Sequence, residues 1–83
     1  MKTRIRFFAA LREAVGVSVI EWETSAPTVG ALRDELMARG GAWAEAFARG
    51  RVIRASVDQV MVEEGAELVD GAEVAFFPPV TGG

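Results

Sequence analysis

The last six residues, Pro78-Pro79-Val80-Thr81-Gly82-Gly83, are the one stretch of this 83-residue chain that neither core packing nor turn formation explains. Consecutive prolines supply no N–H donors and favour extended polyproline geometry, so a strand arriving at Phe77 must stop and the following residues are directed away from the body. At ~3.3 Å per residue, the four residues beyond Pro79 carry a terminal carboxylate on the order of 13 Å outward, far enough to enter a partner's pocket. Gly82 and Gly83 have no side chains, so the end passes a narrow channel and leaves its carboxylate open to a bulky reagent. A terminal Gly-Gly taken alone reads as a frayed end. Joined to the Pro-Pro stop it reads as a working group: the carboxylate of Gly83, threaded by Pro78, Pro79, Val80, Thr81 and Gly82.

The side-chain inventory sharpens this choice. The chain has no cysteine and no histidine, which removes disulfides, Cys/His zinc sites, thiolate nucleophiles and imidazole bases. A carboxylate-only metal site among the 12 Asp and Glu residues is not expected, because no loop alternates Asp or Asn ligands around a glycine. A stand-alone enzyme would have to be built from Ser, Thr or Lys alone. Net charge is −3 with both signs interspersed, so there is no electrostatic footprint for nucleic acid or an anionic membrane. The basic start, Met1 to Leu11, runs into Arg12-Glu13 before it is long enough for a signal peptide, and no segment is long enough to span a bilayer. A cytoplasmic protein with no bound cofactor is expected.

A short domain must position that arm, and 83 residues allow one core. Residues 2–8 alternate, with Thr3, Ile5 and Phe7 on one face and Lys2, Arg4, Arg6 and Phe8 on the other. A short helix over Ala10 to Ala14 stops at Gly16, and a second strand over Ser18 to Thr24 turns Ile20 and Trp22 inward. Paired antiparallel, these strands set Arg4 and Arg6 against Glu21 and Glu23 on the solvent face. Pro27 breaks the chain, Thr28 is a helix N-cap, and Val29, Leu32 and Leu36 recur at helical spacing up to Gly40-Gly41. Residues 42–48 predict a second short helix with Trp43 and Phe47 on one face.

Val52 to Val57 reads as a strand, Asp58-Gln59 as a tight turn, and Val60 to Val62 as a short partner strand. Glu73 to Phe77 is the last strand, with Val74 and Phe76 inward. This is an α+β pattern satisfied by a β-grasp, ubiquitin-like roll: a mixed sheet of about five strands, one main helix and short helices on one face, with first and last strands parallel at the centre. The domain covers residues 1–77 and the functional tail 78–83. Trp22, Trp43 and Phe47 belong to the core by their spacing, and Arg49, Arg51 and Arg54 read as solvated surface. Phe8 and Phe77 alternate onto the opposite sheet face, where an aromatic pair suits a protein interface.

The ending from Asp70-Gly71-Ala72-Glu73 through Phe76-Phe77-Pro78-Pro79-Val80-Thr81-Gly82-Gly83 resembles that of the molybdopterin synthase small-subunit family of ubiquitin-like sulfur carriers. The opening Phe7-Phe8-Ala9-Ala10-Leu11-Arg12-Glu13 with Gly16, and the helix entry Pro27-Thr28-Val29, resemble the family too. The chain departs at Ala72, where the family usually has a second acidic residue, and at Asp58, which replaces a common asparagine. Both lie in turns and leave the tail untouched.

The resemblance implies a β-grasp fold and a carrier cycle. An ATP-dependent activating enzyme adenylates the Gly83 carboxylate, a sulfur donor converts it to a thiocarboxylate, and the large synthase subunit uses that sulfur on cyclic pyranopterin monophosphate to build a dithiolene. It also implies a heterotetramer of two small and two large subunits. Two relatives of the same fold and tail remain alternatives: a thiamine-pathway sulfur carrier, against which the Phe-Phe-Pro-Pro-Val-Thr ending counts, and a ubiquitin-like modifier joined to lysine amines. A plain interaction domain with an inert tail is the third.

Overall fold

A computed structural model of the chain describes residues 1–79; Val80, Thr81, Gly82 and Gly83, the outer part of the expected arm, lie outside the described residues. The elements in order are β1 (Lys2–Phe7), α1 (Ala9–Val15), β2 (Val19–Glu23), α2 (Val29–Met37), α3 (Gly41–Ala46), β3 (Arg54–Val57), β4 (Val60–Val62) and β5 (Glu73–Phe77). One five-stranded sheet runs β2-β1-β5-β3-β4, with β1 and β5 parallel and the other neighbours antiparallel. This is the β-grasp roll. Ile5, Phe7, Val74 and Phe76 point to one face and meet Leu11, Leu32, Leu36 and Phe47 from the helices in one apolar core. Trp22 and Trp43 pack against that core, as their spacing predicts, with the Arg39 guanidinium 5.1 Å and 4.2 Å from their ring centres.

The parallel β1–β5 register is pinned from below. The Asp70 carboxylate accepts from the Lys2 backbone N–H at 2.8 Å, Gly71 N–H donates to the Lys2 carbonyl at 2.8 Å, and the buried Thr3 hydroxyl donates to the Ala72 carbonyl at 2.8 Å. Ala72 is itself buried, so the missing acidic residue is an apolar side chain facing protein. The β3–β4 hairpin turns on Asp58 and Gln59, both at positive φ (48° and 70°), the geometry a two-residue hairpin demands. Asp58 also clasps β5, since its carboxylate accepts from Glu73 N–H at 3.0 Å.

Helix α2 is seated on the loop that follows β4. Thr28 caps it by accepting from Ala31 N–H at 3.2 Å, and the next free donors, Val29 N–H and Gly30 N–H, give to the carbonyls of Ala66 and Glu64. That approach needs glycine at position 30, because a Cβ there would lie 3.1 Å from the Glu64 side chain and 3.2 Å from its backbone oxygen. One turn further on, Arg33 is only 3% exposed. Its guanidinium donates to the carbonyls of Phe47 at 2.9 Å, Ala48 at 2.6 Å and Arg51 at 2.9 Å, and to the Glu64 carboxylate at 2.7 Å. Arg49 closes the network on Glu64, Asp34 and the Gly30 carbonyl. Arg49 is therefore a structural strut as much as a solvated cation, which its sequence context did not announce.

Several boundaries differ from the sequence expectation for physical reasons. β3 begins at Arg54 rather than Val52, because its pairing with Phe77 would next set Ile53 and Val52 against Pro78 and Pro79, which have no N–H to share. α3 covers Gly41–Ala46 rather than 42–48, since the carbonyls of Phe47 and Ala48 turn to Arg33. α1 starts at Ala9, with Phe8 alone between it and the strand, and extends to Val15 before Gly16 (φ 81°) closes it. Arg4 pairs with Glu21 at 2.9 Å as expected, but Arg6 faces Val19 across the ladder and reaches Glu73 on the other side at 3.2 Å.

Two outcomes follow from the network. Arg33→Ala leaves three carbonyls without donors and is expected to cost on the order of 3 kcal/mol in urea unfolding; Arg33→Lys, unable to serve them from one ammonium, is expected to recover only part of that loss. The Glu64 carboxyl is held below its ordinary range, first by the hydrogen bond from Arg49 and then by that from Arg33, against an opposing desolvation. A depressed carboxyl pKa adds stability above the unfolded-state value and forfeits it as pH falls through the folded one. Stability should therefore drop on acidification below about pH 4, and Glu64→Gln should flatten that acid limb in thermal melts.

Candidate functional site

The arm is rooted at the end of the central strand. β5 lies between β1 and β3, so at Phe77 the chain is still flanked on both edges: Phe8 N–H donates to the Phe76 carbonyl at 3.2 Å, and Arg54 stands opposite Phe77. Pro78 and Pro79 end both ladders at once, and the chain leaves the sheet from its middle rather than from an edge. The two prolines separate two concavities. One, of 510 Å³, lies between α1 and α3 and is walled by Leu11, Ala46, Arg51 and Ile53. The other, of 890 Å³, lies on the outer sheet face between Phe8, Phe77, Ala75 and Ser56.

That outer face carries the expected aromatic pair. Phe8 and Phe77 meet edge to face with ring centres 6.4 Å apart, and Phe8 is 43% exposed. Phe8 keeps this position because it ends the β1 ladder in extended geometry while Ala9, at φ 51°, turns the chain at once into α1. The patch extends beyond the predicted pair. Strand register puts Val19, Ala75, Ser56 and Met61 on the same face, with Val19 and Met61 exposed. Met61 was missed in the sequence because a three-residue strand gives too short an alternation to assign a face. Arg6, paired with Glu73, stands in that same row between Val19 and Ala75, and Arg4–Glu21 lies further down the face, so the aromatic pair sits beside an ion pair on a mixed apolar and charged surface.

The described residues offer no rival site. None of their Asp and Glu side chains gather in groups of three that could hold a metal ion, and no helix among them is long and apolar enough to cross a membrane. The strongest charge cluster, around Arg33, Arg49 and Glu64, is spent on internal bonds. The residues expected to act sort into three groups: Phe8 and Phe77 are together, Pro78 and Pro79 form the root, and Val80 to Gly83 lie outside the described residues.

Comparison with known proteins bears on this geometry. The ThiS family model matches residues 5–83, nearly the whole chain with the tail included. The chain belongs to the ThiS family. Among curated relatives, the molybdopterin synthase sulfur carrier subunit of Escherichia coli is 46% identical over 80 residues, covering 96% of this chain and 98% of that protein. Among solved structures, a putative molybdopterin converting factor subunit 1 from Pyrococcus furiosus superposes with a TM-score of 0.78 at 28% identity, covering 96% of this chain and 99% of that one. The fold is shared as well by a chain in a Helicobacter pylori complex of subunits 1 and 2 of molybdopterin-converting factor, with a TM-score of 0.68, 23% identity and full coverage of both chains. In this ThiS-family chain the match runs through the root described above and on to the terminal glycines.

If Phe8 serves the surface rather than the core, Phe8→Ala should change unfolding free energy by less than about 1 kcal/mol. Phe76→Ala, one strand away but 1% exposed, should cost about 3–5 kcal/mol by the same denaturant titration.

Proposed function

We propose that this chain is the sulfur-carrying subunit of a molybdopterin synthase, with the Gly83 carboxylate as the group that is activated, charged with sulfur and discharged. What supports it is the family match over residues 5–83, which runs through the terminal glycines, together with a Pro-Pro root at the centre of the sheet. The high identity to the E. coli carrier over almost the full length of both proteins favours this pathway over the thiamine one.

The chemistry follows from what a carboxylate lacks. Ionised, it is a poor electrophile. Attack of its oxygen on the α-phosphorus of ATP expels pyrophosphate and gives a mixed anhydride whose leaving group is AMP. Hydrosulfide, or an equivalent sulfide-level donor, then adds to the Gly83 carbonyl carbon, the bond to AMP breaks, AMP departs, a proton is lost to solvent, and a thiocarboxylate remains. Its sulfur passes to cyclic pyranopterin monophosphate inside the large synthase subunit, which also supplies the acid–base groups absent from this chain. ATP is thus consumed by the activating enzyme, and the carrier binds no cofactor of its own.

The outer face holding Phe8, Phe77 and Met61 is the surface offered to the large subunit, because it adjoins the root and would hold the body while the arm enters the partner. The two-subunit make-up of the H. pylori complex agrees with such a partner. The apolar patch is of a kind that buried aromatic anchors occupy.

The test is molybdopterin formation from the cyclic precursor with the large subunit and carrier whose thiocarboxylate has been confirmed by mass spectrometry. Deleting Gly83 should abolish product while leaving the melting temperature and most of the affinity for the large subunit intact. Phe8→Asp should do the reverse, weakening association at least ~10-fold while Gly83 still accepts activation. No product from a confirmed thiocarboxylate and a competent large subunit would move the assignment to the thiamine carrier or a protein modifier.

A further inference from the structure

An activated glycine carbonyl reacts with amines as well as with sulfur, and the most abundant amine on a protein surface is lysine. This sequence has a single lysine, Lys2, against eight arginines. The positions are as telling as the number. The cations bordering the tail root are Arg6 and Arg51, each walling a concavity that Pro78 and Pro79 also line, and Arg54, directly across the ladder from Phe77. All three are arginines. A guanidinium stays protonated at any physiological pH and is not an acyl acceptor, whereas a lysine amine, once it has lost a proton, is.

Lys2 sits at the other end of the sheet. Its carbonyl accepts from Gly71 N–H, which places it level with the foot of β5, on the order of 25 Å of extended chain from Pro79. The four tail residues span only ~13 Å, so they cannot fold back to it. The α-amino group of Met1 lies at the same far end and is engaged, donating to the Thr24 carbonyl at 2.9 Å with Glu23 at 3.7 Å.

We propose that this chain segregates its amines from its own activated terminus, using arginine at every basic position around the tail root so that the Gly83 acyl group cannot be lost to an internal amide. The proposal rests on the carrier reading of Gly83. The reaction avoided is specific: a lysine ammonium gives one proton to solvent, the neutral Nζ forms a bond to the Gly83 carbonyl carbon, the bond to AMP breaks, AMP leaves, and a second proton goes from nitrogen to solvent, leaving an amide N–H. The product would be a closed loop, lighter by one water than the free carrier and unable to carry sulfur. While the arm is engaged by a partner, the nearest surface of its own body is the tail root, whose cations, Arg6 (paired with Glu73), Arg51 and Arg54, present no amine.

The test uses the full chain and its Arg51→Lys and Arg54→Lys variants, conservative changes at exposed positions. In a first arm, each is given ATP and the activating enzyme, and pyrophosphate release reports whether Gly83 is activated. In a second arm, each carries Gly83 as an alkyl thioester made by intein cleavage, so the electrophile is free of the enzyme's protection, and products are read by intact mass and peptide mapping. The native thioester should hydrolyse with no internal amide, while at least one lysine variant should give the cyclised chain, mapped to a Gly83–lysine bond, as at least a tenth of the product. Equal behaviour of native and variant thioesters, or cyclisation of the native chain at Lys2, would overturn the proposal. Absence of pyrophosphate release from the native chain would overturn the carrier reading, and this proposal with it, whatever the thioesters do.

Discussion

The last strand ends in the middle of the sheet, and most of this molecule can be understood from that constraint. β5 has neighbours on both edges up to Phe77, so its direction is fixed by two ladders rather than one. Prolines at 78 and 79 then withhold the donors that either neighbour would need. The described chain up to Pro79 therefore continues from a strand held on both edges, and its parallel pairing with β1 is fastened at its foot by Thr3, Asp70 and Gly71.

Much of this was legible in the sequence because it depends on local pattern. The alternation in residues 2–8, the Thr28 cap with Val29, Leu32 and Leu36 behind it, and the inward Val74 and Phe76 all match the observed faces. So does the Phe8–Phe77 pair, whose adjacency needed only the parallel pairing of first and last strands. Arg33 was not legible. On a helix an arginine reads as solvated, and only the return of residues 47–51 over α2 surrounds it with carbonyls. Arg6 shows the same limit from the other side: alternation gave its face correctly, but its partner depended on a register that placed Val19 opposite it and Glu73 within reach.

Arg33 also links stability to the site. The loop it holds leads from α3 into β3 and supplies Arg51 and Ile53 to the wall beside the prolines. A buried guanidinium is a weak source of net stability, because its desolvation offsets much of what its bonds return. Its value is geometric. Three directed bonds, to the carbonyls of Phe47, Ala48 and Arg51, hold an irregular segment that has neither ladder nor helix to hold it, the fourth ties it to Glu64, and that segment borders the tail root.

The same division between rigid body and spare terminus explains the inventory. On the proposed carrier reading, the chain is recognised by successive partners while the bond-making groups are theirs, so each cysteine or lysine it lacks near the terminus is one fewer route by which an activated glycine would be lost. Cysteine and histidine are absent from the whole sequence, and lysine is confined to the end of the sheet away from the root. Around the described root lie hydrophobic surface, arginine and backbone: Phe8, Phe77 and the exposed Met61 on the outer face, Arg6 paired with Glu73, and Arg51 and Arg54 exposed. The proposed reactive group can then be the least decorated atom set in the sequence, a carboxylate on glycine, with selectivity left to the surfaces that deliver it and bond-making to the partners that would receive it.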